Sequence, residues 1–449
     1  MSGFGVRRLD AALKSAVKPA RSEGLRRDLG TIESYATLLG ILIGAGIFKV
    51  TSEAWTFTGP SVILGYFVLA PAVLATSVAY SVFISTPLGL QPGGEYAHIS
   101  RTFGGYGLAF VGVWLKIISY IGALAFLSRV FADYCGGGTP VAVAVLLLFY
   151  AVHVAGVRWF GRIQVWMCVL LGLSLIVLIV PGLFAIRAAN YQPFITHGFR
   201  GFAASLPPLF FAYAGFESLA QTAGEVRDST RRLPRIFVLG IGATMAIYLL
   251  MSVVACGVLP GPQLAAAAAP MTAVASRYLP GGAAQIITLG ALMALTTSIN
   301  GTMLVPSRVA VVLVDDGLAP RWLGRISPRT GTPVIGLTIT AAAALVLLLS
   351  GQISLALNIA VFALVCLYFL HSVALLVLPW KNRQLFEQVT VRIPLWLQRA
   401  SAIVSIAAMG ALIGLQLTST ATVELALGWG VLGAVMYGVA RLTSAPRRP

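Results

Sequence analysis

Apolar runs of membrane-crossing length fill this chain, and the first of them is interrupted at its centre. A helical span needs about 20 predominantly apolar residues. Such runs fall near 34–57, 59–86, 105–132, 139–157, 163–186, 201–222, 236–259, 284–313, 333–350, 353–379, 400–418 and 424–441. Charged residues make up 10% of the 449 positions and hydrophobic ones 58%, whereas a soluble domain carries about 25% charged. Lipid offers backbone groups no partners, so runs of this length must close their hydrogen bonds as helices. The expectation is an all-α integral membrane protein with twelve transmembrane helices.

The net charge of +17 first suggests nucleic acid. Its distribution argues otherwise. An even number of spans places both termini on one side. That side collects 25 of the 31 basic residues: the N-terminal tail, Arg101, Arg158, Arg162, Arg227, Arg231, Arg232, Arg235, Arg308, Arg321, Arg325, Arg329, Lys381, Arg383, Arg392, Arg399 and the C-terminal tail. The opposite loops hold Arg187, Arg200 and Arg277, with Lys49 nearby. This asymmetry is the positive-inside pattern. It places both termini in the cytoplasm of a multi-pass cell-membrane protein, and the charge reports contact with the lipid bilayer rather than with nucleic acid. The first 30 residues lack an apolar core ahead of a cleavage site, so the first span is expected to be retained. Cys135, Cys168, Cys256 and Cys366 are scattered; no pair has metal-ligand spacing, and no cofactor is implied.

The interruption in the first run reads Gly44-Ala45-Gly46, within TLLGILIGAGIFKV. The sixth run, pointing the other way, carries FFAYAGFE, with Gly215 between apolar residues and Pro207-Pro208 upstream. Two interrupted segments at corresponding places in oppositely directed halves mark an inverted-repeat transporter with discontinuous helices 1 and 6. The organisation expected is a cytoplasmic tail over 1–32, repeat one over 33–190, repeat two over 199–380, a loop with helices 11–12 over 381–441, and a tail over 442–449. Close packing through small residues is the competing use of the same glycines.

A break suits a zwitterion. Charged groups entering the membrane need fixed partners to offset lost hydration. The half-helix ending at a break frees carbonyls, and the one beginning after it frees amides. Amides at Ala45, Gly46 and Ile47 then hold a carboxylate. Carbonyls near Leu42 and Ile43, with those of Phe211, Ala212 and Ala214, hold an ammonium. Phe48, Tyr213 and Phe216 are the expected walls and gates, with ordinary helix packing as the alternative. Glu217, just past the second break, is placed to read a cationic side chain or to couple a proton to gating.

These residues resemble the amino acid–polyamine–organocation superfamily of permeases. GAGIF at 44–48 is similar to that family's G-S/A-G-I-F segment. PGGEYAHISRTFGGYGLAFVGVW at 92–114, FFAYAGFESLAQTAGEVRDSTRRLP at 210–234 and SRVAVVLVDDGLAPRWLGRISPRTGTPV at 307–334 resemble three further segments of it, in the same order. The resemblance implies a five-plus-five inverted repeat, alternating access, and amino acids or related amines as substrates. It assigns the substrate's backbone groups to Gly44, Ala45, Gly46, Phe211 and Ala214. The residue inside the first motif is often serine; here it is Ala45, so a hydroxyl contact is missing.

Other polar residues carry weaker signals. Glu225 lies close in sequence to Arg227, Arg231 and Arg235, which suggests a gate or anchoring ion pair among them. Lys116 and His371 could each relay protons; the favoured expectation is that Lys116 snorkels and that His371 is a satisfied helix-contact residue. Some resembling permeases carry a lysine in span 5; here RIQVWMCVLLGLSLIV has none, with Leu171 or Gly172 near that place. Thr296, Thr297, Ser298 and Asn300 carry oxygens that, at Thr297 and Ser298 above all, could join first-span carbonyls around sodium, although such hydroxyls commonly bond their own backbone. A proton is favoured over sodium as coupling ion, and exchange without an ion stays open.

The four histidines are dispersed, which argues against an enzyme. No charged rings or repeated carbonyl loops indicate a channel, and no P-loop supplies nucleotide energy. The sequence therefore points to a secondary amino acid transporter, either proton-coupled or an exchanger. A polyamine or organic-amine transporter and a non-transporting amino acid sensor on the same fold are the alternatives. Glu217 leans the substrate toward cations, with neutral amino acids also open.

Overall fold

A computed structural model describes residues 29–90, 93–221 and 223–443. The basic N-terminal tail through residue 28, Pro92 of the second motif and the C-terminal positions 444–449 lie outside the described residues. What is described is helical, and nine apolar stretches within it are long enough to cross a membrane.

The first stretch, Thr31–Ile84, folds in pieces. Helix α1 spans Thr31–Leu42, a π-helical turn spans Gly46–Val50, and α2 spans Thr51–Thr58 before α3 at Val62–Ile84. The amide of Gly30 donates to Glu33 Oε2 at 3.0 Å, capping the first turn of α1. After the short α4 (Glu95–Phe103) come α5 (Tyr106–Cys135), α6 (Gly138–Ala155) and α7 (Val157–Phe184). The sixth apolar run forms α8 (Gly198–Ala212), an irregular turn and the short α9 (Ser218–Gln221). Then follow α10 (Ser229–Val258), the short α11 (Gly261–Ala266) and α12 (Pro270–Ala275), and α13 (Ala284–Asp315). The chain closes with α14 (Val334–Leu349), α15 (Ile353–Lys381), the single turn α16 (Arg383–Phe386), α17 (Leu395–Gln416) and α18 (Thr420–Thr443).

Helix α14 is shorter than the nine. It nevertheless packs on α5, α6 and α13 and lies where an apolar run was read at 333–350.

Packing places the broken segments inside. Helix α1 packs against α7, α10 and α13; α8 packs against α2, α3 and α15; α5 lies between α13 and α15. Helix α13 is buried along most of its length, from Ile287 to Leu313. Helix α18 is peripheral and joins α5 through two stacked indoles. Trp114 Nε1 donates to the Trp429 carbonyl at 2.7 Å, and Trp429 Nε1 donates to that of Trp114 at 2.9 Å.

Leu29 pairs with Val226 in an isolated parallel bridge, the Leu29 amide reaching the Glu225 carbonyl at 3.1 Å. The entry to α1 and the entry to α10 therefore share one face of the bundle. The end of α13 and the loop before α17 lie on that face too, and we call it the arginine-rich face.

Candidate functional site

The first break has a defined geometry. Helix α1 ends at Leu42, and Ile43 takes φ −81°, ψ 77°. The Gly44 amide donates to the Leu42 carbonyl at 2.9 Å, which makes this an inverse γ-turn. Helical bonding resumes with the Phe48 amide on the Gly44 carbonyl at 3.4 Å. The amides of Ala45, Gly46 and Ile47 precede that bond and have no carbonyl behind them in the helix. The absence of a side chain at Gly46 has a separate cause. A Cβ there would collide with the backbone of Ala212, and one at Gly44 would collide with Ser298. The irregular turn itself falls at Leu42–Gly44, just ahead of the Gly44-Ala45-Gly46 expected, and Gly44 and Gly46 supply the close packing.

The second break faces it. Helix α8 stops at Ala212, and Gly215 adopts φ +106°, a conformation that glycine alone takes readily. Glu217, fully buried, folds back over this turn. Its Oε2 accepts the Gly215 amide at 3.0 Å and the Tyr368 hydroxyl, and its Oε1 accepts the Tyr120 hydroxyl at 2.6 Å. Ser218 Oγ stands 2.6 Å from the same Tyr120 oxygen. No basic side chain among the described residues forms an ion pair with Glu217.

Three tyrosines tie the two breaks together. Tyr248 of α10 donates to the Ala212 carbonyl at 2.6 Å and also lies against that of Leu42. One hydroxyl proton thus serves the ends of both leading half-helices. Tyr66 donates to the Gly46 carbonyl at 3.0 Å, and Tyr213 donates to the Tyr66 carbonyl at 3.1 Å.

Between the breaks lies a tight hollow of about 40 Å³, room for a water or two. Gly44, Ala45 and Gly46 line it from one side, and Phe211, Ala214, Gly215 and Glu217 from the other. Tyr120, Ala123 and Leu127 of α5, Ser298 and Thr302 of α13, and Ala360 and Leu364 of α15 complete it. Ile43, Ile47, Phe48, Ala212, Tyr213 and Phe216 are not on the lining. They are buried behind it; Phe216, for example, packs on Tyr80, Phe237 and Tyr368.

A second cavity of about 900 Å³ opens on the face away from the arginines, between Lys49, Glu53, Arg129, Asp133 and Arg200. Phe126 lines this chamber and Phe211 lines the hollow, and their rings meet edge to face at 5.4 Å. That pair stands between chamber and hollow. Phe126 was not singled out by the sequence, because an aromatic in an apolar helix carries no mark of the direction it points.

The model of the amino acid permease family matches residues 29–440. This chain belongs to that family. Among its relatives is the branched-chain amino acid permease BcaP of Bacillus subtilis, 26% identical over 70% of this chain and 72% of the relative. The vacuolar cationic amino acid transporter 4 of Arabidopsis thaliana is 28% identical over 75% of this chain and 61% of its own length. The methylthioribose transporter of Bacillus subtilis is 25% identical over 72% and 74%. The chain is accordingly a helical multi-pass membrane protein of the transporter class, as its resemblance to the amino acid–polyamine–organocation superfamily implied.

On the arginine-rich side lie buried polar clusters that differ from the sequence expectations. Lys116 does not snorkel. It is 1% exposed and donates to Glu95 Oε2 at 2.8 Å. Glu95 also accepts from Tyr80 and, at 2.6 Å, from Gln221 beyond the second break. A lysine facing the bundle has no path to the headgroups, so its charge needs a carboxylate instead. Glu225 pairs with Arg308 of α13 at 3.0 Å rather than with Arg231 or Arg235. The latter two sit past the turn at Asp228 and point away. Asp316 accepts from Tyr96 at 2.7 Å and lies 3.5 Å from Arg101.

His371 is half satisfied. Its Nε2 lies 2.9 Å from His98 Nδ1, and its own Nδ1 has no partner among the described residues. Burial, together with His371 alongside, holds the pKa of His98 in α4 well below the usual imidazole range.

The α13 hydroxyls reach the first break. Thr297 Oγ1 donates to the Gly40 carbonyl at 2.8 Å and to Ala294 at 2.7 Å. Ser298 Oγ lies 3.0 Å from the carbonyls of Gly40 and Ile41. These hydroxyls act here as donors to the end of α1, whereas Thr296 bonds its own helix. From span 5, Gln164 and Cys168 reach the Ala36 carbonyl at 3.3 and 3.0 Å, and Gln164 accepts from Asn300 at 2.8 Å. Gln164 and Cys168 lie two turns and one turn before Leu171.

Proposed function

We propose that this permease is a secondary active amino acid transporter of the cell membrane, working by alternating access around the hollow between its two breaks. The observation that carries the reading is Glu217: a carboxylate on the hollow, held by neutral donors, with Ala45 and Gly46 of the first break on the facing side. The amides of Ala45 and Gly46, which line the hollow, take the substrate carboxylate. The carbonyls of Phe211 and Ala214 on the hollow take its ammonium, since Tyr248 engages those of Leu42 and Ala212. Glu217 takes one further positive charge, because a buried carboxylate without a cation is strongly disfavoured. Since the rest of the wall offers apolar Ala123, Leu127, Ala360 and Leu364 beside the hydroxyls of Ser119, Tyr120, Ser298 and Thr302, and no second carboxylate among the described residues, that charge is a proton carried with a neutral amino acid. A cationic substrate is the second reading. It is favoured by the same carboxylate and by the cationic amino acid transporter among the relatives.

Topology follows the same reading. Thr31–Thr58 and Val62–Ile84 count as two crossings, and the broken Gly198–Gln221 and the short Val334–Leu349 count as one each, so the bundle has twelve. Residues 33–190 and 199–380 are the inverted repeats, 381–441 the appended pair with its loop, and the arginine-rich face with both termini is cytoplasmic. Phe126 and Phe211 form the outer gate. Glu225–Arg308 and Glu95–Lys116 form the inner seal. Phe48, Tyr213 and Phe216 support the site from behind.

The test is uptake of labelled leucine and labelled arginine into proteoliposomes under imposed pH gradients. Leucine uptake that exceeds one molecule per protein and follows the proton gradient supports the first reading. Arginine uptake indifferent to the gradient supports the second. Saturable binding without flux makes the chain a sensor.

A further inference from the structure

The arginine-rich face carries a pocket that the transport reading does not use. It measures about 960 Å³ and is framed by three elements that the fold brings together: Thr31 and Tyr35 of α1, the first turns of α10, and the loop residues Thr390–Arg392. Arg231, Arg232, Arg235 and Arg392 line it, and no carboxylate among the described residues does. Arg232 is engaged, with Asp228 Oδ2 and Thr31 Oγ1 each 2.9 Å away. Arg231, Arg235 and Arg392 have no acidic partner among the described residues. The loop is anchored, because Thr390 Oγ1 donates to the Ser85 carbonyl at 2.7 Å. Arg392 is thereby held opposite the α10 arginines.

Three guanidinium groups facing one hollow, with no carboxylate there among the described residues, repel one another unless an anion is present. Guanidinium forks match phosphate oxygens in pairs. Each wall of the pocket also continues into exposed apolar surface. Leu239, one turn past Arg235, is 62% exposed; Trp396, one turn past Arg392, is 69% exposed; Ile32, beside Thr31, is 68% exposed. A free phosphate has no use for that collar, whereas acyl chains do. We propose that this pocket binds the phosphate of an anionic phospholipid headgroup, with the acyl chains lying along α10 and the start of α17. Such a lipid links the entry of α1 to the entry of α10.

Native mass spectrometry of the purified full chain tests this, in detergent micelles doped with equal parts phosphatidylcholine and phosphatidylglycerol. The wild type should retain phosphatidylglycerol over phosphatidylcholine by about tenfold or more, as expected for several arginines acting on one phosphate. The variant R231Q/R235Q/R392Q should lose that preference. The variant R321Q/R325Q/R329Q, which removes equal charge from the same face outside the pocket, should keep it. If the first variant does not fold, R392Q alone should weaken the preference. Equal retention by wild type and R392Q would then overturn the proposal. It is also overturned if the two triple variants behave alike, which means diffuse surface charge. Displacement of the lipid by glycerol 1-phosphate at equal concentration overturns it as well, because the pocket then takes a soluble phosphate.

Discussion

Arg308 Nε donates to Glu225 Oε1 at 3.0 Å, and each side chain is 1% exposed. The pair bolts α13 to the turn that follows the second break. Removing one partner leaves the other charge buried and unpaired, which costs about 3–5 kcal/mol, whereas replacing both with apolar groups of similar size is often neutral. R308M should therefore lower the melting temperature in detergent more than E225Q/R308M does. Thermal unfolding followed by tryptophan fluorescence reads this directly. Strictly additive losses would mean that the two side chains are not coupled.

Glu217→Gln keeps the size of the side chain and removes its charge. The amide oxygen would stay on the Gly215 amide, and the amide nitrogen would face the Tyr120 hydroxyl, which must then accept instead of donating to a carboxylate. Losing one charge-assisted bond of about 1.5–3 kcal/mol should lower kcat/KM for uptake by roughly ten- to a hundredfold. Whatever pH dependence the wild type shows between pH 5 and 8 should flatten. Unchanged uptake with an unchanged pH profile in proteoliposomes would remove Glu217 from the mechanism.

Gly46 and Gly172 make a matched pair of controls. A Cβ on Gly46 meets the backbone of Ala212, and one on Gly172 meets nothing within 4 Å. Gly46→Ala forces the two breaks apart, and overpacking of this kind costs about 1–3 kcal/mol. It should lower the melting temperature and abolish uptake, whereas Gly172→Ala should leave both at wild-type values. Wild-type uptake by Gly46→Ala would show that contact between the breaks is dispensable.

The two breaks were legible in the sequence because glycine marks each: Gly44 and Gly46 allow close approach beside the first turn, and Gly215 takes the positive φ of the second. The apolar runs were legible for the same local reason, since length and composition alone decide them. The buried ion pairs were not. Glu95 and Lys116 stand 21 positions apart and Glu225 and Arg308 83, and nothing in an apolar helix reveals which way one polar side chain faces. Lys116 was therefore assigned to the headgroups, and Glu225 to the arginines nearest in sequence. Phe126 escaped notice for the same reason. The short helices α4, α11 and α12 between spans are too brief for their periodicity to register.

The most direct measurement asks whether the hollow between the breaks holds the substrate. Ala123→Cys, in a background with Cys135, Cys168, Cys256 and Cys366 replaced by serine, places one thiol on the lining of that hollow. Its rate of alkylation by a small maleimide should fall several-fold when the amino acid with the fastest uptake is present at saturation, and not when a non-transported amino acid is. An alkylation rate unmoved by a transported amino acid would contradict the account, because that substrate would then be bound somewhere else.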